Sequence, residues 1–402
     1  MAPDNLAAVQ DVVRDLHASA SPWIPSGLGS RLSWGAPLKP APVLSLRHCK
    51  AVLDHAVDDL TITLQAGLPL ADLQAQLAEH QQWLPVDWPF GTNLKDADSA
   101  GNDSAGTDSA GSVGGLVARG LAGGLRHRHL GVRDQIIGIG LIRSDGTEAH
   151  AGGRVVKNVA GYDLMRLLCG SWGSLALISE LTLRVQPIRP ARALLMIHGP
   201  LEALEAWRAD VVASTLTPEL LNWQCGPAQP LRIQVGVASV SDAAVEDQLN
   251  RLRSLAEHHQ LSAEPHPWEG PLPPAESSTT ATPPWLLRLA LAPTQVQALF
   301  RSAELQALQG WHWQVAAAAG SGDGWVPTDG ATRCDQLKSL RQRVETLGGR
   351  LSVLRQPSAS TKAIDAWTDA PSRPLIEAVK RQFDPLQQLN RGRLPGVAHP
   401  YG

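Results

Sequence analysis

GGRVVKNVAGYDLMRLLCGSWGSLALISELTLRV, residues 152–185, joins a polar loop to an apolar run. Between Lys157 and Leu164 a cation, an amide, a glycine, a phenol and a carboxylate fall within a few positions. Leu164, Leu167 and Leu168 then follow at helical spacing. Past the breaks at Gly170 and Gly173, Leu175–Val185 is dense in Leu, Ile and Val, which predicts a buried or half-buried strand. A loop that places so many polar side chains between two buried elements is a candidate functional loop.

Working outward, strands are expected at Val43–Arg47, Leu60–Ala66, Trp83–Val86 and Ile136–Arg143, with a helix at Leu70–Glu79. Gly35, Gly67, Gly131 and Gly146 fall where turns belong. Leu6, Val9, Val13 and Leu16 predict an amphipathic opening helix, and no basic start with a continuous apolar core precedes it. Residues 1–190 therefore read as mixed α/β. Residues 191–355 mix expected helices (Leu201–Ala213, Ala243–His258) with expected strands (Leu231–Val237, Trp285–Leu291, Leu351–Leu354), an α+β texture. Inside them, Glu264–Pro284 is rich in Pro, Ser and Thr and is expected as an exposed loop. Residues 356–402 form a C-terminal segment with a short helix and a Gly/Pro-rich finish. Asp98-Ser-Ala-Gly, Asp103-Ser-Ala-Gly and Asp108-Ser-Ala-Gly repeat within residues 95–111, a stretch devoid of bulky apolar residues and expected as a mobile insert.

At 402 residues the chain can build two or three domains. Its net charge of −3 gives no field that would favour nucleic acid. No apolar run reaches membrane-spanning length. Cys49, Cys169, Cys225 and Cys334 are scattered without C-x-x-C spacing, which argues against a disulfide framework, a zinc site or an iron–sulfur cluster built by this chain alone. A reducing cytoplasm fits. The 13 Trp residues outnumber the 3 Phe and 2 Tyr together, a bias without a physical account.

Two glycine-rich runs are candidate cofactor loops. Pro25-Ser26-Gly27-Leu28-Gly29-Ser30-Arg31 alternates glycine with hydroxyl donors and ends on a guanidinium, so its backbone N–H groups can converge on an anion. It matches neither G-x-G-x-x-G after a strand nor the P-loop pattern, and alone it reads better as an ordinary Gly/Ser turn. Gly111-Ser112-Val113-Gly114-Gly115-Leu116-Val117-Ala118 opens a helical stretch with small residues.

Pro25–Arg31, Gln65-Ala66-Gly67, Ser112–Ala118, Leu130–Asp134, the KNVAGYDL run and Gly173–Glu180 follow one another in the order and spacing of the vanillyl-alcohol oxidase/p-cresol methylhydroxylase family of FAD-binding domains, which the chain resembles. Within that family the run VGGLVARGLAGGLRH, the GVRD step and VVKNVAGYDLMRLLCGS are similar to the FAD-binding E-type subunits of bacterial glycolate oxidases. The similarity returns at Phe383-Asp384-Pro385 and Asn390-Arg391-Gly392-Arg393, where Arg391 replaces the family's proline.

The resemblance implies an α+β fold: an FAD-binding domain of two α+β subdomains over 1–190, a smaller divergent α+β cap over 191–355, and a tail returning to the first domain. It implies non-covalent FAD, because the first loop lacks the histidine that tethers flavin in some members. Pro25, Ser26, Gly27, Leu28, Gly29, Ser30 and Arg31 would hold the pyrophosphate, with Gly67, Ser112, Gly114, Gly115 and Ala118 lining a second loop. Gly161, Tyr162, Asp163, Gly173 and Ile178 would lie along the flavin or adenine, joined by Asp134 and Lys157 through their motifs. His127-Arg128-His129 is expected as a basic surface turn. Catalytic members carry H-x-G-D-G-x-x-H in the cap, and the matching residues here, Gly320 to Pro327, lack both histidines, with Ser321–Gly324 read as a turn. The implied role is an accessory or electron-relay subunit of a glycolate-oxidising complex, cytoplasmic or peripheral at the inner membrane face through its partners. Those partners are a catalytic FAD subunit and an iron–sulfur subunit, with a small 2-hydroxy acid as the complex's substrate. The alternatives are a self-sufficient FAD-linked 2-hydroxy-acid oxidoreductase and a non-catalytic FAD-containing assembly subunit.

Overall fold

A computed structural model of the protein describes residues 1–87, 110–153, 163–227, 229–268, 284–326, 332–357 and 363–400. Lys157, Gly161, Tyr162 and Pro327 lie outside them, as do most of the Asp-Ser-Ala-Gly insert and of the Pro/Ser/Thr-rich loop.

The opening helix, Leu6–Ala18, starts where Asn5 accepts a hydrogen bond from the Ala8 amide at 2.9 Å, and it buries Val9 and Val13. Ile24–Ser26 then pairs in parallel with Val43–Ser45, so the first glycine loop leaves directly from a strand end. A five-stranded antiparallel sheet follows in the order Val52–Ala56, Thr61–Gln65, Leu177–Arg184, Ile136–Ile142, Glu148–Gly152. Its central strand is the apolar run of the opening motif, buried at Leu181 and Leu183. The helix Leu70–Glu79 forms over the expected residues, burying Leu70, Leu73 and Leu77. The strand expected at Trp83–Val86 is shorter: only Gln82–Trp83 pairs, with Gln186–Pro187. Leu84 and Val86 are buried without a ladder, and the Gln74 side chain satisfies the Leu84 backbone instead.

The widest sheet has eight strands, in the order Ser262–His266, Ala191–His198, Gln229–Ser239, Leu220–Gly226, His312–Ala316, Ser321–Val326, Trp285–Ala290, Arg350–Arg355. Every pairing in it is antiparallel. Two expectations change here. Glu264–His266 is not loop but an edge strand on Ala191–His198, with Ala263 packed on the core. Ser321–Gly324 is not a turn but the start of an interior strand, because Gly322 and Gly324 leave room for the backbone of Gln314 and the ring of Trp313 across the ladder.

Alternation gives this sheet two unlike faces. Trp223, Val315, Leu287, Leu289 and Val353 join a core with the helices Leu201–Ala213, Asp242–His258 and Cys334–Thr346. Arg232, Gln224, Gln314, Asp323, Arg288 and Ser352 stand opposite one another across six strands and form a polar row on the other face. That face meets the first part of the chain at Ala122, whose carbonyl accepts hydrogen bonds from Arg288 Nη2 and, at 3.2 Å, from Ser321 Oγ.

The tail closes back on the first loop. Helix Arg373–Phe383 buries Lys380, which donates to Asp384, to the Ser174 carbonyl at 2.7 Å and to the Leu389 carbonyl at 3.0 Å. Asp384 in turn accepts from the amides of Gln388 and Leu389, fixing the turn after the Asp-Pro step.

Candidate functional site

One cleft gathers the whole first loop, Pro25 to Leu32, with Gly111, Ser112, Gly115 and Ala118. Its far walls are Arg119, Trp172, Asn390 and Arg393, which sequence reasoning had not assigned. The loop is held from beneath: Ser45 Oγ donates to the Gly27 carbonyl at 2.7 Å and the Leu46 amide to the Ser26 carbonyl at 2.8 Å. Its own amides point elsewhere. The N–H groups of Gly27, Leu28, Gly29 and Ser30 donate to no described residue. Gly29 has φ +82°, a left-handed step of the kind that lets successive N–H groups converge on an anion. At Gly27 a Cβ would overlap the Ser112 side chain, so glycine is required where the two loops touch.

Positive charge surrounds the nest. The guanidiniums of Arg31 and Arg119 lie 5.2 and 5.5 Å from the ring centre of Trp34. Burial, and next the like charge of Arg31, press the Arg119 guanidinium well below its ordinary range, with Asp323 opposing. An arginine does not give up its proton near neutrality, so Arg119 keeps its charge beside Arg31 at the cleft. Burial also brings Arg393 down to about 10. Amides without partners among the described residues and two guanidiniums at one cleft fit a diphosphate-bearing cofactor.

The other expected residues divide. Gly67 and Gly114 serve packing: a Cβ on Gly67 would overlap the Leu46 carbonyl, and one on Gly114 would come within 2.7 Å of Ala66 Cβ. Gly173, at φ +71°, sits behind the cleft against Asn390 and Pro25. Asp134 does not line the cleft; it accepts from the Gly131 amide at 3.2 Å and caps a short helix. Asp163 is half-exposed and pairs with Arg166 at 3.0 Å. Ile178 is buried in the sheet core. His129 belongs to a short helix, Arg126–His129, rather than to a surface turn, and its Nε2 lies 2.7 Å from Glu219 Oε1 with both side chains buried. Arg189 joins that pair at 2.9 Å, tying the five-stranded part to the eight-stranded sheet. Asp87 lies at the same seam. Burial pushes its carboxyl up while the Gly123 and Leu125 amides hold it down.

A second cavity, of about 140 Å³, lies across Trp172 from the cleft, with Arg288, Arg350, Ser352 and Trp367 in its walls. Among the described residues no group of three or more His, Cys, Asp or Glu is arranged to hold a metal ion, and no helix is long and apolar enough to cross a membrane.

The chain is similar to known proteins in sequence and in fold. The FAD binding domain family matches residues 1–95. The chain is 30% identical over 243 residues to glycolate oxidase subunit GlcE of Escherichia coli (strain K12), covering 60% of this chain and 63% of that protein. It is 27% identical over 227 residues to glycolate oxidase subunit GlcD of Bacillus subtilis (strain 168), covering 56% and 44%. The matched part thus spans less than two thirds of either relative. Among solved structures, alkyldihydroxyacetonephosphate synthase superposes with a TM-score of 0.67 over 98% of this chain and 76% of that one, at 12% identity, a likeness of fold. The protein is an α+β flavoprotein with a p-cresol methylhydroxylase-type FAD-binding domain, and FAD is its cofactor. Within that class it is similar to glycolate oxidase subunits over the part that they share.

Proposed function

We propose that this chain is the accessory or electron-relay FAD subunit of a complex that oxidises glycolate to glyoxylate, beside a catalytic flavoprotein subunit and an iron–sulfur subunit. One observation carries the accessory role. Gly320 stands where catalytic cap motifs carry a histidine, its φ is +67°, and a Cβ there would overlap the Leu291 carbonyl. No imidazole fits that position. The acid three residues on, Asp323, is committed to Arg288 at 2.9 Å. The strand therefore offers no base at this point to take the hydroxyl proton of a 2-hydroxy acid.

FAD bound without a covalent link would supply two-electron acceptance and stepwise electron delivery. The chain's own part is to hold the diphosphate on the Gly27–Ser30 amides, neutralise it with Arg31 and Arg119, and shield it beneath Trp172 and the tail. We divide the chain into an FAD-binding unit (1–190), a cap (191–355) and a returning tail (356–402), and place it in the cytoplasm, free or held at the inner membrane face through partners. Glu148 to Gly152 leads into the KNVAGYDL run, which we assign, with Lys157, Gly161 and Tyr162, to the cofactor's remaining wall.

The test is anaerobic mixing of glycolate with the FAD-loaded, partner-free chain. The flavin is expected to stay oxidised alone and to be reduced only with the partner subunits. A flavin that remains oxidised throughout turnover of the whole complex would mean an assembly role instead. The cavity bearing Arg288 and Arg350 favours a second reading, a self-sufficient 2-hydroxy-acid oxidoreductase: it has room for a small acid and cations for a carboxylate. Rapid bleaching with glyoxylate formation by the isolated chain would establish that reading.

A further inference from the structure

We propose that Asn390 is a cofactor-binding residue whose Oδ1 accepts a hydrogen bond from a sugar hydroxyl of FAD, on either the ribityl chain or the adenosine ribose. The proposal rests on FAD occupying the glycine-loop cleft. Asn390 lines that cleft and also the hollow behind it formed by the tail. The residue is 4% exposed, yet its Oδ1 is buried with no hydrogen-bond partner among the described residues. An acceptor withdrawn from water and left unpaired is costly, and native structures keep few of them.

The orientation of the amide is not open to exchange. Nδ2 donates to the Trp172 carbonyl at 2.6 Å, and flipping the group would set one carbonyl oxygen against another. The backbone is fixed as well: the Asn390 amide donates to the Trp23 carbonyl at 3.1 Å, and φ is +46°, a left-handed value that asparagine tolerates better than most residues. Gly173 keeps the space open, since a Cβ there would meet Asn390 Nδ2 at 2.8 Å. The neighbouring Arg393 is already spent, donating to the carbonyls of Ala36 at 2.8 Å and Leu32 at 2.9 Å. It positions the loop, while Asn390 offers a free acceptor. A diphosphate carries no donor; the donors nearest to it in FAD are the hydroxyls of the two flanking sugars.

The experiment is fluorescence titration of the flavin-stripped full chain with FAD, with FMN and ADP as probes of the two halves, and with FAD analogues lacking single sugar hydroxyls. Asn390→Gly, compatible with the positive φ, is expected to weaken FAD about tenfold. The analogue lacking the paired hydroxyl is expected to bind the wild type and the variant equally. Weakening of FMN but not ADP assigns the ribityl chain, and the converse assigns the ribose. Asn390→Ala takes the place of the glycine variant should that one fail to fold. FAD affinity within twofold of wild type, or a loss of the same size with every analogue, overturns the proposal, the latter showing an effect transmitted through Trp172. A wild-type chain that takes up no FAD at all overturns the cofactor assignment and this proposal together.

Discussion

The two glycine-rich loops look alike in sequence and do opposite work. Around Gly27 to Ser30 the amides have no partners among the described residues, at the rim of a cleft. In the second loop they are consumed: Val113 N–H donates to the Leu68 carbonyl at 2.9 Å, Gly114 to Ala66 at 2.8 Å, and Gly115 to its own N-cap, Ser112 Oγ, at 3.1 Å. Glycine in the first loop leaves donors facing the cleft, where we propose the diphosphate sits. In the second it permits close backbone approach to the segment after Thr61–Gln65. Composition reports neither role; the destination of the N–H groups does.

The sharpest way to break this contrast is at Gly27, where the loops touch. Gly27→Val would drive a branched side chain into Ser112, and FAD occupancy is expected to fall to background, measured by flavin absorbance of the purified protein. Ser112→Gly added to Gly27→Ala removes the overlapping atoms and is expected to recover part of the flavin. Full occupancy in Gly27→Val would remove the first loop from the site.

A matched pair of alanines separates the two loops. Gly114→Ala crowds Ala66, whose carbonyl oxygen would lie 2.8 Å from the new Cβ, and should destabilise the fold by about 1–3 kcal/mol while the folded fraction keeps its FAD affinity. Gly29→Ala meets nothing closer than 3.7 Å; its cost is the left-handed backbone, about 1–2 kcal/mol. That strain falls on the nest, so FAD affinity should drop further than for Gly114→Ala. Thermal melts of the apo-protein beside FAD titrations check both, and identical profiles for the two variants would dissolve the distinction.

Much of the architecture was legible because periodicity is a local signal. Leu70–Glu79 and Leu201–Ala213 form over the expected residues, since their apolar faces repeat at helical spacing. What failed to show depends on partners distant in the chain. Ser321–Gly324 looks like a turn because Gly322 and Gly324 carry no side chain, and its strand character comes from Trp313 and Gln314 across the ladder. His129 looks like surface charge until Glu219 arrives 90 residues later. The site followed the same rule. The first loop could be read in one pass, whereas Trp172, Asn390 and Arg393 enter it by tertiary return, and nothing near Arg119 marks that it will share Trp34 with Arg31.

The arginine pair gives a smaller and more selective test. Arg119→Leu removes one of two like charges flanking Trp34, so the apo-protein should be as stable as wild type or slightly more so. FAD affinity should fall about tenfold, the scale of one charge-assisted contact. Opposite signs for stability and affinity are what an anion site predicts and a structural arginine does not. Affinity should also be flat between about pH 6 and about pH 8, because arginines remain protonated there. An unchanged affinity in Arg119→Leu would remove Arg119 from the diphosphate site and leave it to the amides and Arg31.

The smallest effect is expected from the Asp-Ser-Ala-Gly repeats, and it bears on where the second loop begins. Ala110 and Gly111, the end of the third repeat, are not mobile insert: Ala110 is 6% exposed, Gly111 has φ +81°, and the Gly111 carbonyl accepts the Leu70 amide at 2.9 Å. These two residues set the base from which Ser112 caps its helix. Removing residues 98–107 takes ten of the 22 residues between Asp87 and Ala110 and none of that base. Loop-closure entropy changes by only about 0.6 kcal/mol for each twofold change in length, so the melting temperature should move by a few degrees at most and flavin content should hold. Extending the deletion through Gly111 should cost both, because the Leu70 amide loses its acceptor and Ser112 its approach to Gly27. If the shorter deletion already empties the cofactor site, the repeats contribute to FAD binding directly, and the second loop begins well before Gly111.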